Sequence, residues 1–304
     1  MLWRKGGDWT REILFRIMSV MRYCGREFTG EEITLIKRLI ADNPGITRQK
    51  LSTTFCEKVG WRKADGTLKA MSCRVAFLRM HRDSHIPLPA PRNSSNNDKK
   101  VPKRTLLAEP QAEIDKDAGE YDLHMEIVGQ RSSALWNEYI DRYHYLGYTP
   151  LPGAQLRYFV TSRDQVLALL GFGAAAWKTA PRDEYIGWNA ETRKRNLHLV
   201  VNNARFLILP WVRSKNLGSK ILSMVSRRIC GDWLKRYHYE PVLLESFVEK
   251  ERFLGTCYKA ANWVYVGDTQ GRGKLDVYNE YKLPVKGIWL CPLKRHFRRR
   301  LLEG

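Results

Sequence analysis

The feature that most restricts how this chain can fold is a break in its composition. From Pro87 to Gly119 it runs PLPAPRNSSNNDKKVPKRTLLAEPQAEIDKDAG, rich in Pro, Asn, Ser and charge and without apolar periodicity. Such a stretch has too little apolar surface to order itself, so it is expected to be a linker. It divides the 304 residues into a unit over 1–90, a linker over 91–119 and a unit over 120–304. Each unit is long enough to enclose a core. With 43% hydrophobic and 11% aromatic residues, a wholly disordered chain is excluded. No run approaches the roughly 18 apolar residues of a membrane span. The best stretch, Ile13 to Met21, is broken by Arg16 and also fails as a secretory signal. A cytoplasmic protein without a membrane partner is expected.

Charge points to the partner. Lys and Arg number 52 against 32 Asp and Glu, a net of +20, divided as +8 over residues 1–91 and +11 over 119–304. Both units can therefore meet one polyanion, with DNA first in line. The alternative is charge that serves solubility alone. Six cysteines lie scattered at 24, 56, 73, 230, 257 and 291. None forms a C-x-x-C pair or a zinc-type Cys/His cluster, so reduced thiols and no structural metal are expected.

In the first unit, Trp9 to Arg22 has helical apolar spacing. Thr29 followed by Glu32 is a capping box that opens a helix through Ile33, Ile36 and Leu39. A second helix is expected from Thr47 to Val59, and a third from Lys69 to Arg82 with Met71, Val75 and Leu78 on its apolar face. Three short helices, the last carrying Lys69, Arg74, Arg79 and Arg82, suit a helix-turn-helix or winged-helix unit. A helical docking module with a solvated basic face is the other possibility.

The second unit reads as mixed α/β. A helix over Ser133 to Tyr145 precedes a strand hairpin, Gln155–Thr161 and Val166–Ala174, and a loop-rich insert from Trp177 to Arg195. A short strand Phe206–Pro210, a long helix opened by Gly218, a strand Pro241–Val248, a helix Lys250–Ala261 and a strand Trp263–Gly267 follow. The strand-to-helix turn holds Arg213, Asn216, Gly218 and Ser219. Backbone N–H groups at such a turn, backed by the helix dipole, can cradle phosphate oxygens, although an ordinary connection has the same composition.

The turn Arg213-x-x-Asn216-x-Gly218, together with Tyr258-x-x-x-Asn262-Trp263 before a strand, resembles the GNAT acyltransferase fold over roughly residues 130 to 280. The resemblance implies an acyl coenzyme A at the turn and a tyrosine able to protonate its thiolate. Asn216 stands where that fold usually has glycine, and Asn262-Trp263 replaces Gly-Phe. A wider similarity rests on Tyr143–Tyr148, Arg182-Asp183, Ile186–Trp188, Phe206–Trp211, Gly255–Trp263 and Gly267–Gly273, with Met71–Arg74 and Ile86–Pro89 in the first unit. On these the chain resembles the Druantia anti-phage defence protein A family, and similar domains occur in transposase-like proteins of mobile elements. The resemblance implies a role in bacterial immunity beside other defence proteins, including a helicase. It implies no established reaction.

Among single residues, Glu245 lies in an apolar strand, where a raised pKa would suit a general base, and Tyr258 could face it as acid. An arginine-paired Glu and a core tyrosine are the plainer alternatives. His144 and Asp183 could instead join Glu245 around a divalent ion, as a strand-processing nuclease would need, but no spacing enforces it. Arg272, between Gly271 and Gly273, could meet phosphate from a loop. The segment Lys294 to Arg300 carries Arg295, Arg298, Arg299 and Arg300, with Phe297 able to stack on a base. The expected function is nucleic-acid binding in defence with a GNAT-like scaffold. The alternatives are group transfer to DNA or protein, and metal-dependent strand processing.

Overall fold

The computed structural model describes residues 20–92, 101–271 and 283–303. The chain forms two compact units, Met1–Asp98 and Lys99–Gly304.

The first unit opens with a hairpin of β1 (Met21–Tyr23) and β2 (Arg26–Phe28). Cys24 and Gly25 turn it with φ of 50° and 76°, the two positive values that a two-residue hairpin loop requires. The helix expected to end at Arg22 is therefore strand over its last residues, and its earlier part lies outside the described residues. Thr29 caps α1 (Gly30–Ala41) with both bonds of the capping box in place. Thr47 caps α2 (Arg48–Lys58), and α3 spans Ala70–Arg82. Phe28, Ile36, Leu51, Phe55, Cys56 and Phe77 interlock as the core. The buried side of α3 is Cys73, Ala76, Phe77 and Met80. Met71 and Val75, expected to face inward, are 64% and 38% exposed. Both faces of this helix carry apolar residues, so periodicity alone could not choose between them.

In the second unit, the expected linker is structured from residue 101 onward. A 3-10 turn at Leu106–Ala108 tucks Ala108 into the core. Next, β3 (Ile114–Asp115) pairs in parallel with β8 (Val212–Arg213). The sheet has seven strands: β4 (Leu123–Ile127), β5 (Leu156–Ser162), β6 (Gln165–Ala174), β7 (Val200–Ile208), β9 (Leu243–Glu249), β10 (Val264–Asp268) and β11 (Lys286–Pro292). Their order is β10-β11-β9-β7-β6-β5-β4. Every pairing is antiparallel except β7 with β9, which run parallel over Val200–Asn203 against Leu243–Ser246.

The helices are α4 (Ser133–Tyr143), α5 (Ala180–Ile186), α6 (Ala190–Asn196), α7 (Leu217–Tyr237), α8 (Thr256–Ala260) and α9 (Phe297–Glu303). Trp136 and Tyr139 of α4 and Ile221, Val225 and Trp233 of α7 share the main core with Leu244 and Tyr258. Leu243, one residue away on β9, joins a second core with Ile186, Ile288, Phe297 and Leu301. Strand alternation thus sends successive residues of β9 into different cores. Several bounds differ from expectation. The insert contains α5 and α6, β7 begins six residues earlier, the helix after β9 shrinks to α8, and β4 and β11 are additional strands. Flanked by β10 and β9 and buried on both faces, β11 is nearly continuous in apolar residues without alternation, the pattern least distinctive in sequence.

Candidate functional site

The one parallel pairing in this sheet, β7 with β9, opens a cleft. A register shift at Gly171/Phe172 bends β7 near Ala204, and beyond Asn203 it no longer pairs with β9. The strands splay around a cavity of about 590 Å3, lined by His144, Tyr145, Phe206 and Phe253 with Ser246 and Tyr258. The Tyr258 hydroxyl donates to Asn203 Oδ1 at 3.0 Å and accepts from Ser246 Oγ at 3.0 Å. Burial pushes this phenol up, so it stays protonated at neutral pH. His144 is buried too. Its Nδ1 accepts from the Leu146 N–H at 3.2 Å. Burial first, then the Arg205 and Lys286 charges, pushes the ring down to about 4, so it is neutral. At the rim, Arg252 lies 5.1 Å over the Tyr145 ring, and Phe253 and Leu254 are 50% and 86% exposed.

Glu245 does not belong to this cleft. It neighbours Ser246 on the strand, so it points to the opposite face, and the expected Glu245–Tyr258 acid–base pair does not form. Its Oε2 accepts from Arg182 Nη1 at 2.8 Å and its Oε1 from the Ala176 N–H at 2.7 Å, with both Glu245 and Arg182 fully buried. Burial pushes the carboxyl up while Arg182 and the Ala176 amide pull it back. Arg182 also donates from Nε and Nη2 to Asp183 Oδ1, which accepts from Trp188 as well, and Arg193 reaches Asp183 Oδ2 at 3.0 Å. These carboxylates are consumed by guanidinium groups. His144 lines the cleft instead, so the proposed ion site of His144, Asp183 and Glu245 is not assembled. Among the described residues no three His, Cys, Asp or Glu side chains group as metal ligands.

In the Arg213–Ser219 turn, Asn216 takes a left-handed φ of 64° just before α7. Residues 113–121 pack along it, and it borders a cavity of about 590 Å3 lined by Lys215, Ser219 and Lys220. Arg213 is ion-paired to Glu113 at 3.0 Å. The segment 114–116 bonds along the turn, from the Ile114 N–H to the Trp211 carbonyl and from Lys116 to Arg213. Lys220 Nζ donates to the carbonyls of Ala118 and Tyr121, and Asp117 shares the adjoining cavity with Asn216 and Ser219. Gly218 is buried, and a Cβ there would lie 3.1 Å from that of Cys257. The missing Cβ lets α7 pack closely on α8.

Of the basic candidates, Arg79 is exposed, Lys69 just before α3 and Arg74 on it are half-buried, and Arg272 lies outside the described residues. Arg295, Arg298, Arg299 and Arg300 are exposed on or beside α9. Phe297, expected to stack on a base, is instead 6% exposed and stacked on Tyr185. The polar pair Asn202-Asn203 inside the apolar run of β7 was the available signal for the cleft floor, since unpaired amides are costly in a buried strand.

A family model described as "Druantia protein DruA" matches residues 79–286. A search of curated proteins finds no match. Among solved structures, the ribosomal-protein-S18-alanine N-acetyltransferase from Escherichia coli is 11% identical. It covers 57% of this chain and 94% of its own, with a TM-score of 0.37. A GNAT-family acetyltransferase from Streptococcus pneumoniae is 11% identical over 57% of this chain and 100% of its own, TM-score 0.38. The Drosophila melanogaster polyamine N-acetyltransferase is 13% identical over 56% and 100%, TM-score 0.36.

Proposed function

The chain belongs to the Druantia protein DruA family, and from that premise we propose that it serves bacterial anti-phage defence in the cytoplasm by binding DNA. The observation that carries this reading is the exposed arginine group Arg295, Arg298, Arg299 and Arg300, set on a helix whose apolar side is anchored in the core. An anchored helix holds cationic heads at fixed positions, which a frayed tail cannot do, and phosphates are the matching partner. Arg79 and Arg82 on α3 offer a second basic surface in the first unit, in keeping with a helix-turn-helix-like role. Other defence proteins, a helicase among them, would supply the motor. The GNAT-like region acts in this reading as a scaffold, because residues 113–121 bond along the turn that would hold acyl coenzyme A and engage Arg213 and Lys220.

The test is DNA affinity against salt. Affinity is expected to fall steeply between low and physiological salt, with a log–log slope that shrinks when Arg295, Arg298 and Arg299 become Gln. A salt-independent affinity, or an unchanged slope in the triple variant, would remove the phosphate-dominated interface.

The cleft above Tyr258 favours one further reading, group transfer onto DNA or protein. A clear thermal stabilisation of wild type by an acyl coenzyme A would support that reading over the scaffold.

A further inference from the structure

We propose that the insert and the C-terminal helix of the second unit form a platform for single-stranded DNA, with Trp177 as the stacking surface for an unpaired base. The inference rests on the DNA-binding reading above and narrows its substrate. Trp177 is 45% exposed, whereas Trp188 in the same insert is 7% exposed with its indole N–H bonded to Asp183. Trp188 is a structural residue, whereas nearly half of Trp177 stays open to solvent.

A connected run of cations and aromatic faces leads away from Trp177. Arg193 lies 5.9 Å from its ring centroid and bonds to Asp183 on α5. Tyr185, also on α5, carries the Arg298 guanidinium 4.4 Å over its ring and accepts from Arg298 Nε at its carbonyl. The Asn196 side chain donates to the Leu301 carbonyl at 2.9 Å, locking α6 against α9. Lys194 and Arg195 are exposed at the end of α6, and Arg295 and Arg299 at α9. Residues 177–195 and 294–303 together hold ten Lys and Arg against four Asp and Glu. Asp183 is paired with Arg182, which is buried, and with Arg193, and Glu240 faces Lys294 and Arg300, so Lys194, Arg195, Arg295 and Arg298 are the cations most open to a phosphate.

Arginines that track a phosphate backbone serve a duplex or a single strand equally. An exposed indole does not. The faces of paired bases are covered by their neighbours in the duplex stack, so only an unpaired strand offers a π-face to a side chain on a protein surface. Arg193 beside the ring adds a cation where the adjoining phosphate would fall.

The experiment measures equilibrium binding of the full chain to labelled oligo(dT), to a DNA duplex of equal length and to oligo(U). Oligo(dT) is expected to bind more tightly than the other two. Trp177→Ala should lower oligo(dT) affinity roughly 5- to 100-fold and change duplex affinity by less than about twofold, while Trp177→Phe retains most of it. Because Trp177 is exposed, unchanged thermal denaturation of both variants will show that the fold is intact. Equal losses for single strand and duplex, no loss at all, or tighter binding of oligo(U) would overturn the inference. Wild type that binds duplex as well as oligo(dT) sinks the single-strand platform alone. Wild type that binds no nucleic acid sinks the DNA-binding reading beneath it.

Discussion

Glu245 and Tyr258 show how strand alternation decides chemistry residue by residue. Adjacent positions on β9 place Ser246 against Tyr258 and Glu245 against Arg182, so one residue of register separates the cleft from a buried ion pair. Glu245→Ala would leave Arg182 short of a buried counter-charge, and a loss of about 3–5 kcal/mol is expected in denaturant unfolding. A variant that melts like wild type would return Glu245 to the list of catalytic candidates. Tyr258→Phe removes a hydroxyl bonded to Asn203 and Ser246 and should cost about 1–2 kcal/mol. Defence activity in cells should survive that change if the GNAT-like region is a scaffold. His144 sets a pH dependence. Between pH 6.5 and about 4 the unfolded chain binds a proton here that the folded chain refuses. Stability should therefore fall as pH drops through that window, by about 1–3 kcal/mol, and His144→Gln should flatten that part of the unfolding profile.

At the scale of elements, α9 behaves differently from a solvated basic tail. Phe297 and Leu301 are buried in the second core, so deleting residues 294–304 is expected to lower the melting temperature of the second unit as well as to weaken DNA binding. Replacing only the exposed arginines separates the two effects. Much of the architecture was legible in the sequence. The Thr29/Glu32 capping box, the three helices expected from Thr29, Thr47 and Lys69 and the β5–β6 hairpin rest on local rules, and all are present. What was not legible depends on distant partners. The outward turn of Met71 and Val75 follows from which side of α3 meets Phe55, as in the 5.3 Å Phe55–Phe77 ring contact. The order of residues 101–119 follows from Glu138, which accepts from the Thr105 N–H and hydroxyl, and from β8, which pairs with β3. Neither partner is near in sequence. The cleft floor is half legible: Tyr258 stands out and the Asn202-Asn203 pair marks β7, but nothing local ties Asn203 or Ser246 to Tyr258.

At the scale of the whole molecule, the two units have separate cores, Phe28 to Ile86 in one and Ala108 onward in the other. Within the second unit the sheet is two antiparallel halves, β4-β5-β6-β7 and β9-β11-β10, joined by four residue pairs of one parallel ladder. That join carries a consequence in time. The β5–β6 hairpin closes across a loop of two residues, so its loop-closure entropy is small. The β7–β9 ladder must wait for the 34 residues between Ile208 and Leu243, most of them in α7, to find their place. Pulse-labelling hydrogen exchange during refolding should protect the amides of β5 and β6 before those of Leu243 to Ser246. The chain would then complete the β5–β6 hairpin well before the two halves meet, making the seam beside the cleft a late contact rather than a nucleus.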